Sequence, residues 1–310
     1  MMNFGLQTAE RRSRVSVLIL VCVLFSSCIG RNVKLPQSQI LLEAKTMSKD
    51  AVLESLRVRS ASIKTLRVEK STFTAARMLS NDQIRDYGKG PTAIPIDGIL
   101  LVDRPTNQLH LQISAAGIIT GADIVSNDKQ YKISLSSSNT FGVADVASPV
   151  QSTDFKCNLK PGHIMDALFV DGEQFWNDKG VITVMSETTE GATDGIHSFY
   201  LVDFIKVEGA MKLEELWFDR GKTTEVSRKI HYTPEGAVDA DVRYSDYQTV
   251  NAIPFPQKIE ITRPLDKYSL VMTIQKMSLN VDTPAEAFTL ERPAGADTLD
   301  FKTCKPVKLP

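Results

Sequence analysis

The sequence predicts a mainly β fold with few helices (α+β), built as a strongly curved antiparallel sheet or incomplete barrel. Apolar residues alternate with a period of two from about Ile63 onwards, and turn sequences separate the alternating segments at regular intervals. Counting these segments gives about 10–11 strands, and a sheet of more than about ten strands tends to curl or close. The few helices are therefore expected to cover its concave side.

The composition is that of an ordinary globular protein. The 310 residues are 42% hydrophobic, 24% charged and 7% aromatic, which excludes collagen-like, disordered and multi-span membrane chains. No internal repeat or linker interrupts the strand-rich part, so we expect one domain there.

The first 27 residues have the features of a secretory signal peptide. Arg11, Arg12 and Arg14 precede an apolar run over residues 15–25 that only Ser16 interrupts. A membrane-spanning helix needs about 20 apolar residues, and this run is shorter. A buried helix is the alternative, but it does not explain the arginines. We predict that residues 1–27 are a signal peptide.

The end of this run resembles the bacterial lipobox, in which cleavage precedes a diacylated cysteine. Ser26 and Ser27 are small residues before Cys28, although Phe25 stands where leucine is favoured. Lipidation of Cys28 would give the two or more acyl chains that stable anchoring requires. Because Ile29 follows, rather than an aspartate that would favour the inner membrane, we expect anchoring at the periplasmic face of the outer membrane.

The net charge and the cysteine content argue against nucleic-acid binding and against a metal site. Loss of residues 1–27 removes three arginines and Glu10, so the net charge changes from −1 to −3, and nucleic-acid binding is not expected. Cys22 leaves with the signal peptide and Cys28 is lipidated. Cys157 and Cys304 remain, either as one disulfide or as two unpaired cysteines. No CxxC or Cys/His cluster indicates a metal site, and no cofactor is expected.

The mature chain is predicted to begin with a tether and a helix. Residues 28–47 form the lipidated N-terminus and tether, and residues 38–59 have apolar positions near a 3.6-residue period. Ser48 could interrupt or cap this helix. Leu66 and Val68 then begin the first strand.

Hairpins follow along the N-terminal half. Residues 99–102 and 109–113 are strands joined by the turn at residues 104–107, and residues 122–126 and 131–135 are joined at Asn127. Residues 159–169 have helical spacing after Pro161 and predict a short helix.

The C-terminal half is predicted to be a meander. Its strands are placed at residues 199–207, 212–219, 226–232, 242–244, 259–261 and 268–281. In the last strand the apolar parity changes, which predicts a β-bulge near Gln275 and Lys276.

Catalytic signatures are missing from the sequence, so the chain is not predicted to be an enzyme. It contains no HExxH, GxSxG, Walker or GxGxxG motif. His110, His197 and His231 are expected on the solvent side of strands, and His163 at the start of the short helix. Asp239 and Asp241 could bind a cation, but such alternating carboxylates usually form a solvated edge.

Several motifs, taken in order, resemble the LolA/LolB-like superfamily over residues 51–300. They are residues 98–105 (GILLVDRP), 127–129 (NDK), 215–220 (ELWFDR), 242–247 (VRYSDY), 253–259 (IPFPQKI), 287–290 (AFTL) and 293–296 (PAGA). The resemblance implies a half-open antiparallel β-barrel with a helical lid over residues 48–303, followed by a C-terminal tail at residues 304–310. It also implies a hydrophobic cavity for acyl chains.

Inward-facing apolar residues are the predicted lining of that cavity. They are Ile99, Leu101, Leu109, Leu111, Ile113, Ile133 and Leu135 on strands and Ile164, Leu168 and Phe169 on the short helix. The same alternation describes any packed β core, so a filled interior is the alternative.

The resemblance implies a monomeric, membrane-anchored lipoprotein that binds or transfers lipids or acylated lipoproteins during envelope biogenesis. A periplasmic carrier protein could deliver its cargo. A non-catalytic envelope-stress sensor or a structural envelope lipoprotein, either binding a protein partner, is the alternative.

Overall fold

One sheet of fifteen strands dominates the structure, a computed structural model that describes residues 44–78, 95–115, 119–148, 151–152, 154–170, 173–192, 195–221 and 225–308. The strands are β1 (Thr65–Arg77), β2 (Pro95–Asp103), β3 (Gln108–Ala115), β4 (Ile119–Ser126), β5 (Gln130–Leu135), β6 (Thr140–Asp145), β7 (Val181–Ala192), β8 (Gly195–Lys206), β9 (Met211–Asp219), β10 (Val226–Tyr232), β11 (Val238–Val250), β12 (Ile253–Arg263), β13 (Tyr268–Leu279), β14 (Asp297–Asp300) and β15 (Lys305–Val307). The α-helices in this part of the chain are α1 (Lys49–Ser62), α2 (Pro161–Leu168) and α3 (Glu173–Trp176).

The strand order confirms a mainly antiparallel, open fold. It runs β15-β14-β6-β5-β4-β3-β2-β1-β13-β12-β11-β10-β9-β8-β7. Neighbouring strands are antiparallel except β14 and β6, which are parallel. The two end strands, β15 and β7, do not pair with each other, so the sheet stays unclosed over the described residues.

The number of strands exceeds the prediction because four strands carry little apolar alternation. The second half of β7 is polar at Thr188, Thr189 and Glu190, as suits a strand at the edge of the sheet. β14 and β15 have only four and three residues, and β6 is short as well. Alternation over a few residues gives too weak a pattern to identify a strand.

Helix α1 begins later than the sequence predicts. The Ser48 hydroxyl accepts a hydrogen bond from the Ala51 N–H at 3.2 Å, which makes Ser48 the N-cap. Residues 44–48 are not helical, so the predicted helix is wrong there, and its earlier part lies outside the described residues. Val52, Leu53 and Leu56 bury the inner face of α1.

The predicted bulge near Gln275 and Lys276 is confirmed. Ser71 pairs with Ile274 and Lys70 pairs with Lys276, so Gln275 is an extra residue on β13. The extra residue moves the apolar residues after it to the other parity. Ile274 before the bulge and Leu279 after it are both buried as a result.

Helix α2 packs on the concave side of a curved sheet, as predicted. It contacts both β4 and β12, which are five strand spacings apart in the sheet order, or about 24 Å on a flat sheet. An eight-residue helix is only about 12 Å long. A sheet that curves around α2 explains how one short helix touches both strands. Ile164, Ala167 and Leu168 of α2 are buried there.

Candidate functional site

Most residues of the predicted cavity lining are packed into the core. Leu109, Leu111, Ile164, Leu168 and Phe169 are buried members of one apolar cluster. Ile113 and Ile133 are partly buried against it, and Leu135 is half-buried. The aliphatic side chains therefore pack against one another and against the helices, and of the ten only Phe169 also lines the cavity described below.

The prediction is wrong for Ile99 and Leu101, which lie on the opposite face of β2. Their neighbours Leu100 and Val102 are almost completely buried, whereas Ile99 is 45% exposed. The run from Ile99 to Val102 is continuously apolar, so alternation could not decide which face points inward. The pairing of Leu100 with Leu111 and of Val102 with Leu109 decides it.

The cavity beside α2 is lined by polar and charged residues rather than by apolar ones alone. It has a volume of about 550 Å³ and lies between α2, the β2–β3 turn and strands β9 to β12. Three cationic and three acidic residues line it, namely Arg104, Lys229, Arg263, Asp166, Glu214 and Asp239. Cations and carboxylates are thus equal in number among its lining residues.

A buried ion pair lies at this cavity. Lys229 Nζ is 3.6 Å from Glu214 Oε2, and the side chains are 10% and 1% exposed. Lys229 also donates a hydrogen bond to the backbone oxygen of Asp166 in α2 at 3.1 Å. The sequence held one signal for this site, because Glu214 and Glu215 are consecutive strand residues and one of them must face inward.

His163 fixes the first turn of α2 to the sheet, at the start of the helix as predicted. Its Nδ1 atom lies 2.7 Å from the Tyr268 hydroxyl. Burial, with the nearby positive charges of Arg263 and Lys160, lowers the pKa of His163 to about 2. The ring is therefore neutral at physiological pH.

The carboxylates of Asp239 and Asp241 bind arginines. Arg263 donates to Asp239 at 2.9 and 3.0 Å, and Arg228 donates two hydrogen bonds to Asp241 at 2.8 and 2.6 Å. A cation would have to displace these guanidinium groups. Among the described residues, no group of three His, Cys, Asp or Glu side chains could hold a metal ion.

His110 lies on the outer face of β3. The prediction that it faces solvent is wrong, because both ring nitrogens have partners in the protein. His110 Nε2 lies 2.7 Å from Asp123 Oδ1, and Nδ1 lies 2.5 Å from the Ala287 carbonyl oxygen. Residues 285–290 cover this side of the sheet, with Phe288 buried. Burial would lower the pKa of His110, but the hydrogen bond and charge of Asp123 outweigh it and raise the pKa above 6.5.

Because the folded-state pKa is raised, His110 should stabilise the protein at low pH and lose this effect as pH rises through that pKa. At pH 6 we expect His110→Gln to lower the free energy of unfolding by about 1.5–3 kcal/mol, the usual contribution of a hydrogen bond to a charged group. The difference between parent and variant should shrink by pH 8 in denaturant titrations.

Asp123→Asn is the matched control, because it keeps the imidazole and removes the carboxylate that raises its pKa. In that background burial lowers the pKa of His110, so the stabilisation by His110 at pH 6 should be absent and the pH dependence should reverse in sign. A difference between parent and His110→Gln that stays constant from pH 6 to pH 8 would contradict the assignment.

The two remaining cysteines join the start of the α2 region to the C-terminus. Cys157 and Cys304 form a disulfide, with their Cα atoms 5.8 Å apart. The bridge lies four residues before α2 and one residue before β15. It therefore ties the segment leading into α2 to the last strands of the sheet.

The signal peptide, the lipobox and Cys28 fall outside the described residues. Within the part of the chain that the structure describes, no helix has both the length and the apolar character to cross a membrane.

This chain is similar to known proteins in structure, not in sequence. No protein-family model matches the sequence, and no curated protein matches it. Among solved structures, a DUF1329 family protein from Desulfovibrio piger has a TM-score of 0.48 at 12% identity, over 79% of this chain and 98% of that one. A LolA superfamily protein from Nitrosomonas europaea has a TM-score of 0.47 at 14% identity, over 79% and 99%.

A third solved structure, described as an outer membrane lipoprotein-sorting protein domain from Vibrio parahaemolyticus, has a TM-score of 0.47 at 9% identity, over 77% of this chain and 94% of that one. A protein of the LolA superfamily, which the sequence resembles, is thus among the similar structures. At these identities and TM-scores, no ligand and no residue role is carried over to this chain.

Proposed function

We propose that this chain is a non-catalytic lipoprotein of the bacterial envelope that binds acyl chains of lipids or of acylated proteins between its helices and the apolar face of its sheet. The observation that carries the proposal is that the apolar face of an open, curved sheet is covered by short helices. From its eight residues, helix α2 places Ile164, Ala167 and Leu168 in the apolar cluster, and Met165 packs against it.

The apolar face of the sheet is packed against α2 in this conformation, so binding requires α2 to move away from the sheet. Exposing Ile164 and Leu168 costs about 1.5–3 kcal/mol each, or about 6 kcal/mol together at most. About eight methylene groups of an acyl chain supply a comparable amount when they leave water, at about 0.8 kcal/mol each. A longer acyl chain therefore outweighs the apolar contacts of the helix.

An acyl chain that comes from a membrane gains less, because it is already out of water. Exchange between the protein and a bilayer is then close to balanced, which suits a protein that holds or passes on lipids. The polar contacts of α2 with Tyr268 and Lys229 add to the cost of opening and keep the helix closed without cargo.

Extraction of bound lipid from the purified protein tests the proposed acyl-chain binding directly. We expect organic extracts of the purified mature protein to contain acyl lipids in about equimolar amount, measured by mass spectrometry. Leu168→Ala should loosen α2 and speed the uptake of a fluorescent C18 fatty acid by several fold. Val58→Ala is the control, because Val58 is 60% exposed on α1. Absence of extracted lipid together with no probe uptake by either protein would eliminate the proposal.

Anchoring at the periplasmic face of the outer membrane is the second part of the proposal. Cys28→Ala removes the thiol that would carry the acyl chains, so the protein should move from the membrane pellet to the soluble fraction on cell fractionation. Cys22→Ala is the control, since Cys22 would leave with the signal peptide. Continued sedimentation of Cys28→Ala with membranes would contradict the anchor.

A further inference from the structure

A second pocket lies where the end of α1 meets the β2–β3 turn and α3. Its volume is about 420 Å³, and its charged lining residues are Arg57, Lys64 and Arg104. Among the described residues that line it, none is a carboxylate. The remaining walls are Ser60, Ala61, Ile63, Pro105 and Trp176. Three cations thus converge on one pocket in a chain whose net charge is −1.

Two of these cations are held in place. Arg104 Nη1 donates to the backbone oxygens of Ser60 at 2.5 Å and Ile63 at 3.0 Å. The guanidinium of Arg57 lies 5.0 Å from the ring centre of Trp176. A fixed guanidinium group loses little conformational entropy when it binds an anion.

Two of the three cations, Arg57 and Lys64, are weakly neutralised within the described residues. Glu54 lies 3.7 Å from Arg57, but both side chains are about half exposed or more, and such surface pairs contribute little. Lys64 is exposed and has no ion pair within the described residues. The cavity beside α2 differs, because carboxylates there equal the cations in number.

The wall of the pocket also includes an unsatisfied donor. The indole Nε1 of Trp176 is buried and has no hydrogen-bond acceptor in the described part of the chain. Buried donors are normally satisfied. The pocket thus combines positive charge with an apolar surface.

We propose that this pocket binds the phosphate group of an anionic ligand. Guanidinium and ammonium groups are the usual partners of phosphate, and the apolar wall suits the glycerol or hydrocarbon part next to it. A free phosphate ester and a phospholipid headgroup share this chemistry. The site is separate from the acyl-binding face proposed above and does not depend on it.

The test is titration of the full-length chain, held in a neutral detergent, with inorganic phosphate and with sn-glycerol 3-phosphate. Calorimetry measures affinity at low ionic strength. Tryptophan fluorescence locates binding near Trp176 when Trp217, the other tryptophan of the chain, is replaced by phenylalanine. Lys64→Glu should weaken binding at least tenfold. Lys70→Glu makes the same charge change at an exposed lysine outside the pocket and should alter affinity less than twofold.

Comparing the two probes distinguishes a phospholipid headgroup from a free phosphate as the ligand. Glycerol 3-phosphate binding about fivefold more tightly than inorganic phosphate supports a headgroup, and equal binding supports free phosphate. Absence of binding, or equal weakening by Lys64→Glu and Lys70→Glu, overturns the site. Lys64→Gln, which should weaken binding severalfold, covers the case in which the glutamate disturbs folding. Failure to extract acyl lipids would leave these outcomes unchanged, so the two proposals fail separately.

Discussion

Replacing Lys229 with methionine should lower the free energy of unfolding by about 3–5 kcal/mol, the usual loss when one partner of a buried ion pair is removed. Glu214 is almost completely buried, and Lys229 Nζ lies 3.6 Å from its carboxylate, with His231 Nδ1 at 4.0 Å. The variant would keep a negative charge in a place of low dielectric constant. Chemical denaturation at pH 7 measures the loss.

The double variant Glu214→Leu with Lys229→Met should recover most of this loss, because a buried pair can often be exchanged for apolar residues without penalty. Recovery should be incomplete, since the hydrogen bond from Lys229 to Asp166 is also gone. Lys258→Met is the matched control: Lys258 and Glu260 form an exposed pair that should contribute less than about 1 kcal/mol. Equal effects at Lys229 and Lys258 would contradict the importance given to the buried pair.

Removal of the disulfide should lower the free energy of unfolding by a similar amount. The bridge joins residues separated by 147 positions, and loss of a native disulfide typically costs about 2–5 kcal/mol. The variant Cys157→Ser with Cys304→Ser should therefore unfold at lower denaturant concentration than the oxidised parent.

Dithiothreitol provides the internal control for this prediction. It should lower the unfolding midpoint of the parent to that of the double variant and leave the variant itself unchanged. A parent whose midpoint is the same with and without reductant would show that the bridge does not stabilise the folded protein.

The elements that the sequence predicts well are those with strong local signals. The turn at residues 104–107 defines the β2–β3 hairpin, and Pro161 begins α2 at the first helical position. The bulge at Gln275 is visible because one extra residue in an alternating strand directly reverses the parity of every apolar residue after it.

The site was harder to predict because its residues meet only through strand pairing. Glu214 and His231 are directly opposite each other on β9 and β10, but nothing in either segment alone indicates which side faces α2. The contact of His110 with Ala287 joins residues 177 positions apart. Local patterns carry no information about such contacts, and for the same reason Ile99 and Leu101 were placed on the wrong face.

The seam between β1 and β13 governs when the protein can finish folding. Leu66 pairs with Leu279 across the middle of the sheet, so 213 residues separate the two partners along the chain. Until β13 has been synthesised, one edge of β1 has no partner strand. The part of the sheet from β1 to β6 is then not yet joined to the part from β7 to β13. Such non-local pairing slows folding.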